Sequence, residues 1–128
     1  MRQNNRICNE IDLIMKIYHN KMCSKSRCSY DLLKEKGVEF ETIEYLKNPL
    51  TKVELTELLS KLNIPAEDLI RTSELDYIKN FKGKNLSELE WIDIMVKYPK
   101  LIERPIIVKG NKAVIGRPIE KVIQLLFE

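Results

Sequence analysis

IYHNKMCSKSRCSYDLL, Ile17 to Leu33, is the stretch on which the fold turns. A short apolar run ends in His-Asn, and helical character sets in from Ser24, so the chain passes from strand to helix across a loop holding Cys23. Working outward, Ile14 to Tyr18 reads as a buried strand. Ser24 to Lys36 reads as a helix closed by Gly37, and Val38 to Tyr45 alternates as a second strand. Strand, helix and strand make a βαβ unit, whose strands run parallel and whose crossover is almost always right-handed.

The middle of the chain is helical. Thr51 and Glu54 form a capping box, with Leu55, Leu58, Leu59 and Leu62 on one face of the helix that follows. Pro65 begins a short helical piece through Leu69, and Ser73 opens a weak helix carrying Leu75, Ile78 and Phe81. Ser87 and Glu90 form a second capping box ahead of Leu89, Ile92 and Val96, and Pro99 ends that run. In PIIVKGNKAVIG the period returns to two, and Gly110-Asn111 marks a hairpin. Pro118 then reads as the N1 residue of a last helix with Ile119, Val122, Ile123 and Leu126 on its apolar face. The order βαβ, helices, ββα predicts an α/β protein: a thioredoxin-like mixed four-stranded sheet with a helical insert.

A length of 128 residues with 44% hydrophobic and 32% charged side chains suits one soluble domain, expected over residues 14–128. Residues 1–13 show no periodicity and read as a flexible extension or an over-called start, which makes Cys8 an incidental exposed thiol. A net charge of +3 is too small and too dispersed to argue for nucleic acid. No apolar run approaches the roughly 20 residues of a membrane span, and the polar start lacks a signal-peptide core, so a cytoplasmic location without a membrane partner is expected.

Cys23 stands where the helix begins, facing unsatisfied N–H groups that favour a thiolate. Lys21, Lys25 and Arg27 add positive charge where it opposes the helix dipole, a broken local rule that points to function. A phosphatase-type loop needs arginine six residues after the cysteine, where this chain has Ser29, and a C-x-x-C site needs cysteine at Ser26. What remains is C-x-x-S, a monothiol that requires an outside thiol such as glutathione. Cys28 lies about 140° further round the helix and reads as a small core-facing hydrophobe. His19 either tunes the thiol or has a structural place at the strand end. One histidine and three scattered cysteines lack metal-ligand spacing, so neither a metal nor a bound cofactor is expected.

Arg71, Arg104 and Arg117 each stand at an element boundary, and arginine offers a fork of donors suited to an oxyanion. Pro105 is expected to follow a cis peptide at the strand start that returns to the cysteine loop. Trp91 reads as helix packing.

Together IYHNKMCSKSR, YLKNPLTKVEL, the Arg71 segment, LIERPIIV and KAVIGRPIEKV make the chain resemble the ArsC family, glutaredoxin-linked arsenate reductases of thioredoxin-like fold, over about Met15 to Phe127. The resemblance implies that Cys23 attacks arsenate or a similar oxyanion, held by Arg71, Arg104 and Arg117 with Arg27 nearby, while His19 and Ser26 lower the thiol pKa. It further implies that glutathione attacks the bound arsenic, that glutaredoxin removes the glutathione, and that arsenite leaves. Lys21 departs from the family's proline after His-Asn, Leu50 replaces the second proline of its YLxxPP stretch, and the GRP of Gly116 to Pro118 is typical of small ArsC-like proteins. Two other readings share the fold: a general glutathione-linked thiol oxidoreductase, and an Spx-like regulator that binds RNA polymerase. Regulators of that kind typically use a C-x-x-C switch, which Ser26 removes.

Overall fold

The computed structural model describes residues 15–128. The expectations for residues 1–13, for Cys8 and for Ile14 lie outside the described residues. Two compact units emerge: residues 15–44 with Arg104–Glu128, and Tyr45–Glu103.

The first unit holds the sheet. Its strands are β1 (Met15–Tyr18), β2 (Phe40–Ile43), β3 (Ile106–Lys109) and β4 (Lys112–Ile115), in the order β2-β1-β3-β4. β1 pairs parallel with β2, while β3 is antiparallel to both β1 and β4. With α1 (Ser24–Glu35) as the crossover and α5 (Glu120–Leu126) after the hairpin, this is the thioredoxin-like plan that the element order predicts. Met15, Ile17, Leu33, Ile107, Val122 and Leu125 form the core in which α1 and α5 meet the sheet. Burial of such side chains at roughly 25 cal/mol per Å² helps fix the strand register, since a one-residue slip would move Ile17 and Ile107 to the opposite face of the sheet and out of this cluster.

Local chemistry explains the ends of these elements. Gly37, at φ +67°, follows α1 and donates to the Lys34 carbonyl at 3.1 Å, a conformation only glycine adopts without penalty. In the β3–β4 turn Gly110 alone has positive φ, at 60°, which fits the first central position of a II′ hairpin turn. The Arg104–Pro105 peptide is cis as expected, and so is Arg117–Pro118. The last helix corrects the reading of Pro118 as N1: it starts at Glu120 with Ile119 as N-cap, because residues 116–118 are spent on a turn in which Arg117 N–H bonds the Ile115 carbonyl at 2.8 Å. β2 is also shorter than the alternation over Val38 to Tyr45 predicts, as expected of an exposed edge strand.

The second unit contains α2 (Lys52–Leu62), α3 (Leu75–Asn80) and α4 (Glu88–Lys97), with 3₁₀ turns at Ala66–Leu69 and Pro99–Leu101 and a bridge between Ile70 and Ile102. Both capping boxes form, with the Thr51 and Ser87 hydroxyls accepting from Glu54 and Glu90 N–H. The buried face of α4 is Trp91, Ile92 and Met95, whereas Leu89 is 60% exposed, contrary to its expected place. Trp91 carries the largest apolar surface and sets the face, with the Tyr77 and Phe81 rings each 6.4 Å from it. α3 buries no residue, and Leu75 and Ile78 are exposed.

Gly116 fixes how closely the end of β4 approaches α1. A Cβ there would lie 2.7 Å from Ser29 Oγ, 2.9 Å from Pro105 Cγ and 3.1 Å from Ile107 Cδ1. Gly116→Ala should therefore lower stability by about 1–3 kcal/mol, seen as a lower urea midpoint at unchanged slope. Adding Ser29→Ala removes the nearest contact and should restore part of the loss; a Gly116→Ala protein as stable as wild type would contradict this packing.

Candidate active site

Strand register gathers the site. Tyr18 at the end of β1 pairs with Ile106 at the start of β3, and Ile106 pairs with Ile115 at the end of β4. The loop to Cys23, the Arg104–Pro105 corner and the Gly116–Pro118 turn therefore emerge at one end of the sheet.

Cys23 is the half-buried N-cap residue of α1, in extended conformation at φ −101°, ψ 124°. Arg117 Nη2 donates to its Sγ at 3.4 Å, and Arg117 Nε donates to the Arg104 carbonyl at 2.6 Å, so one guanidinium joins the thiol to the strand start. Burial pushes the thiol pKa up. The N–H of Ser26, the Arg104 side chain and the N–H of Lys25 outweigh that effect, and the net shift is downward.

The loop beneath the thiol is held by hydrogen bonds. Asn20 Oδ1 accepts from Met22 N–H at 3.0 Å, an Asx turn, and the Asn20 carbonyl accepts from Cys23 N–H at 2.9 Å. Ser26 Oγ accepts from Asn20 N–H at 3.0 Å and meets His19 Nδ1 at 2.6 Å. Ser26 is fully buried and the His19 ring stacks on Tyr30 with centroids 5.1 Å apart. Burial lowers the His19 pKa and favours the neutral imidazole, against the pull of the Glu44 and Asp31 carboxylates. Histidine, serine and cysteine loop are thus one hydrogen-bonded piece.

The other sequence-derived candidates have settings of their own. Arg27 donates to the Lys21 carbonyl at 3.4 Å, bracing the loop from outside. Arg71 belongs to the helical unit, where its guanidinium bonds Glu74 at 3.0 Å and lies 4.0 Å from Glu103. Cys28 is exposed, which corrects its expected core position. Ser26, Ser29 and Leu33 occupy the inward face of α1, and two residues past Ser26 the helix has turned about 200°, away from the core. Sequence reasoning missed Asn20 and Gly116. The Asx turn had a signal in an asparagine two residues before Met22 and three before the helix cap, whereas the close approach at Gly116 depends on side chains distant in sequence. Among the described residues, no three His, Cys, Asp or Glu side chains gather as metal ligands, and no helix is long and apolar enough to cross a membrane.

A thioredoxin-like sheet with a cysteine of lowered pKa at the start of its first helix, and arginines from both ends of the hairpin beside that thiol, defines the class of protein. The model of the ArsC family matches residues 18–125, and the chain belongs to that family. It is 46% identical over 114 residues to the uncharacterized protein YfgD of Escherichia coli (strain K12), covering 88% of this chain and 96% of that one. It is 39% identical over 112 residues to an arsenate reductase of Haemophilus influenzae, covering 86% and 97%. Among solved structures, the arsenate reductase from Vibrio cholerae superposes with a TM-score of 0.83 at 36% identity, over 88% of this chain and 97% of that chain.

Two pH dependences follow. Alkylation of Cys23 by iodoacetamide, followed by peptide mass mapping, should have its midpoint below that of the unfolded chain, and Arg104→Ala should move it upward; coincident folded and unfolded midpoints would contradict a favoured thiolate. For His19 the folded pKa is lowered, so the unfolded state takes up its proton first as pH falls. Its contribution to stability is present above the usual histidine pKa of about 6.5 and is lost as pH drops below it. The urea midpoint should fall from pH 7.5 toward pH 5.5 by more in wild type than in His19→Gln.

Proposed function

We propose that this protein is an arsenate reductase that works through one cysteine, Cys23, with glutathione and glutaredoxin as reductant in the cytoplasm. The observation that carries the reading is the half-buried Cys23 thiol, its pKa lowered by helix N–H groups and Arg104 and its sulfur bonded by Arg117. The arsenate reductases from Haemophilus influenzae and Vibrio cholerae support the choice of oxyanion.

In this mechanism Arg104 and Arg117 orient the arsenate and favour the ionised thiol. The Cys23 thiolate forms a sulfur–arsenic bond and one arsenate oxygen leaves as water. A glutathione thiol displaces a second oxygen, again as water. Glutaredoxin's thiolate then attacks the glutathione sulfur; the sulfur–arsenic bond breaks, its electron pair stays on arsenic, and As(V) becomes As(III) as a disulfide forms. Water cleaves the remaining bond, arsenite departs, and Cys23 leaves as the thiolate that Arg117 stabilises. His19 and Ser26 act as positioning residues, holding the loop through Asn20. Arg71, the third arginine that the resemblance implies as an oxyanion ligand, has its guanidinium bonded to Glu74 and 4.0 Å from Glu103 within the helical unit.

Ser26 argues against a dithiol switch, since its buried hydroxyl is already committed to His19 and Asn20. The test is arsenate-dependent NADPH oxidation with glutathione, glutaredoxin and glutathione reductase. Wild type should turn over, Cys23→Ser should lose turnover, and Cys28→Ser should keep most of it. Arg104→Ala and Arg117→Ala should each raise the KM for arsenate. Full activity in Cys23→Ser, or none in a folded wild type, would overturn the reading.

A further inference from the structure

Arg117, which bonds the thiol, also borders a second feature. A cavity of about 250 Å³ opens between α1 and the turn after β4, lined by Lys25 and Cys28 on one wall and by Gly116, Arg117 and Glu120 on the other. Ligand cavities typically run to about 300–1,000 Å³, so this one takes a short peptide or part of one.

Its charges form a pattern. Lys25 and Arg117 supply two cations and Glu120 one carboxylate. Lys25 stands in the first turn of α1, where positive charge is locally unfavourable, so its place there has no gain for the helix. Arg117 reaches from the cavity wall to Cys23 Sγ at 3.4 Å, which places the reacting sulfur within one side chain of the cavity. From Cys23 to Cys28 the helix rises about 7.5 Å, less than the roughly 10 Å span of an extended tripeptide.

We infer that this cavity is the docking site for the outside thiol, and that its ligand class is a small peptide thiol bearing two carboxylates and one ammonium group, as glutathione does. The inference rests on the monothiol reading above and adds to it a place and a charge complement: carboxylates toward Lys25 and Arg117, ammonium toward Glu120. A thiol lacking those charges reaches Cys23 without being held. Cys28 takes no part in the chemistry and lies on the cavity wall, where it reports occupancy.

Cys28 alkylation tests this without arsenate. Wild-type protein is treated with iodoacetamide, and the rate at Cys28 is read by peptide mass mapping in the presence of rising S-methylglutathione, which has no free thiol. Occupancy should slow alkylation of Cys28 severalfold and saturably, while S-methylcysteamine, which has no carboxylate, should leave the rate unchanged. Glu120→Lys and Lys25→Glu should each weaken the protection, and Glu120→Lys should raise the KM for glutathione while leaving the KM for arsenate unchanged. Absence of protection at saturating ligand, or equal protection in both charge-reversed proteins, would overturn the inference. An unprotected Cys28 in a protein that turns over arsenate would remove the docking site and keep the reductase. Protection in a protein without arsenate turnover would keep the site and remove arsenate as substrate.

Discussion

The antiparallel pairing of β1 with β3 is the constraint on which the site depends. Because Tyr18 faces Ile106 and Ile106 faces Ile115, three chain segments far apart in sequence leave the sheet at the same end. Tight hydrophobic packing of Ile17 and Ile107 makes that register unique, so the distance from Arg117 to Cys23 is a consequence of core packing more than of any attraction between the two. Gly116 then lets the turn approach α1 closely enough for the guanidinium to reach sulfur.

The cation placed there has an energetic logic that a surface ion pair lacks. An exposed arginine beside a thiolate would be screened and worth little, whereas Cys23 is half-buried and also receives helix N–H groups. Burial opposes ionisation, and the directed N–H and guanidinium donors reverse it. The result is a sulfur that is ionised more readily than an ordinary cysteine, yet partly shielded from water.

Much of this was legible in the sequence where the cause is local. The Thr51–Glu54 and Ser87–Glu90 boxes, Gly37 as terminator and Gly110-Asn111 as a hairpin depend on neighbouring residues and formed as expected. Cys23 at the helix start is likewise a local matter. Misreadings came where distant parts decide. Cys28 and Leu89 were assigned inward by class and spacing, but Ser26, Ser29 and Leu33 hold the inner face of α1, and Trp91 holds that of α4. Pro118 met the composition rule for N1, yet the preceding turn consumed it. No local pattern could reveal Gly116, whose neighbours come from α1, the Arg104–Pro105 corner and β3.

Ser26 shows why a monothiol suits this loop. In a C-x-x-C site the second sulfur lies three residues into the helix and must be free to attack the first. Here that position is fully buried, and its oxygen accepts the Asn20 N–H while meeting the His19 ring, so it fastens the first turn of α1 to the end of β1. A sulfur is larger and a much weaker hydrogen-bond partner, and in that place it would leave the Asn20 N–H and the imidazole without a good acceptor or donor. The loop's geometry and an internal resolving thiol therefore make opposing demands on one residue. With serine meeting the first demand, the loop holds Cys23 without a resolving thiol three residues on.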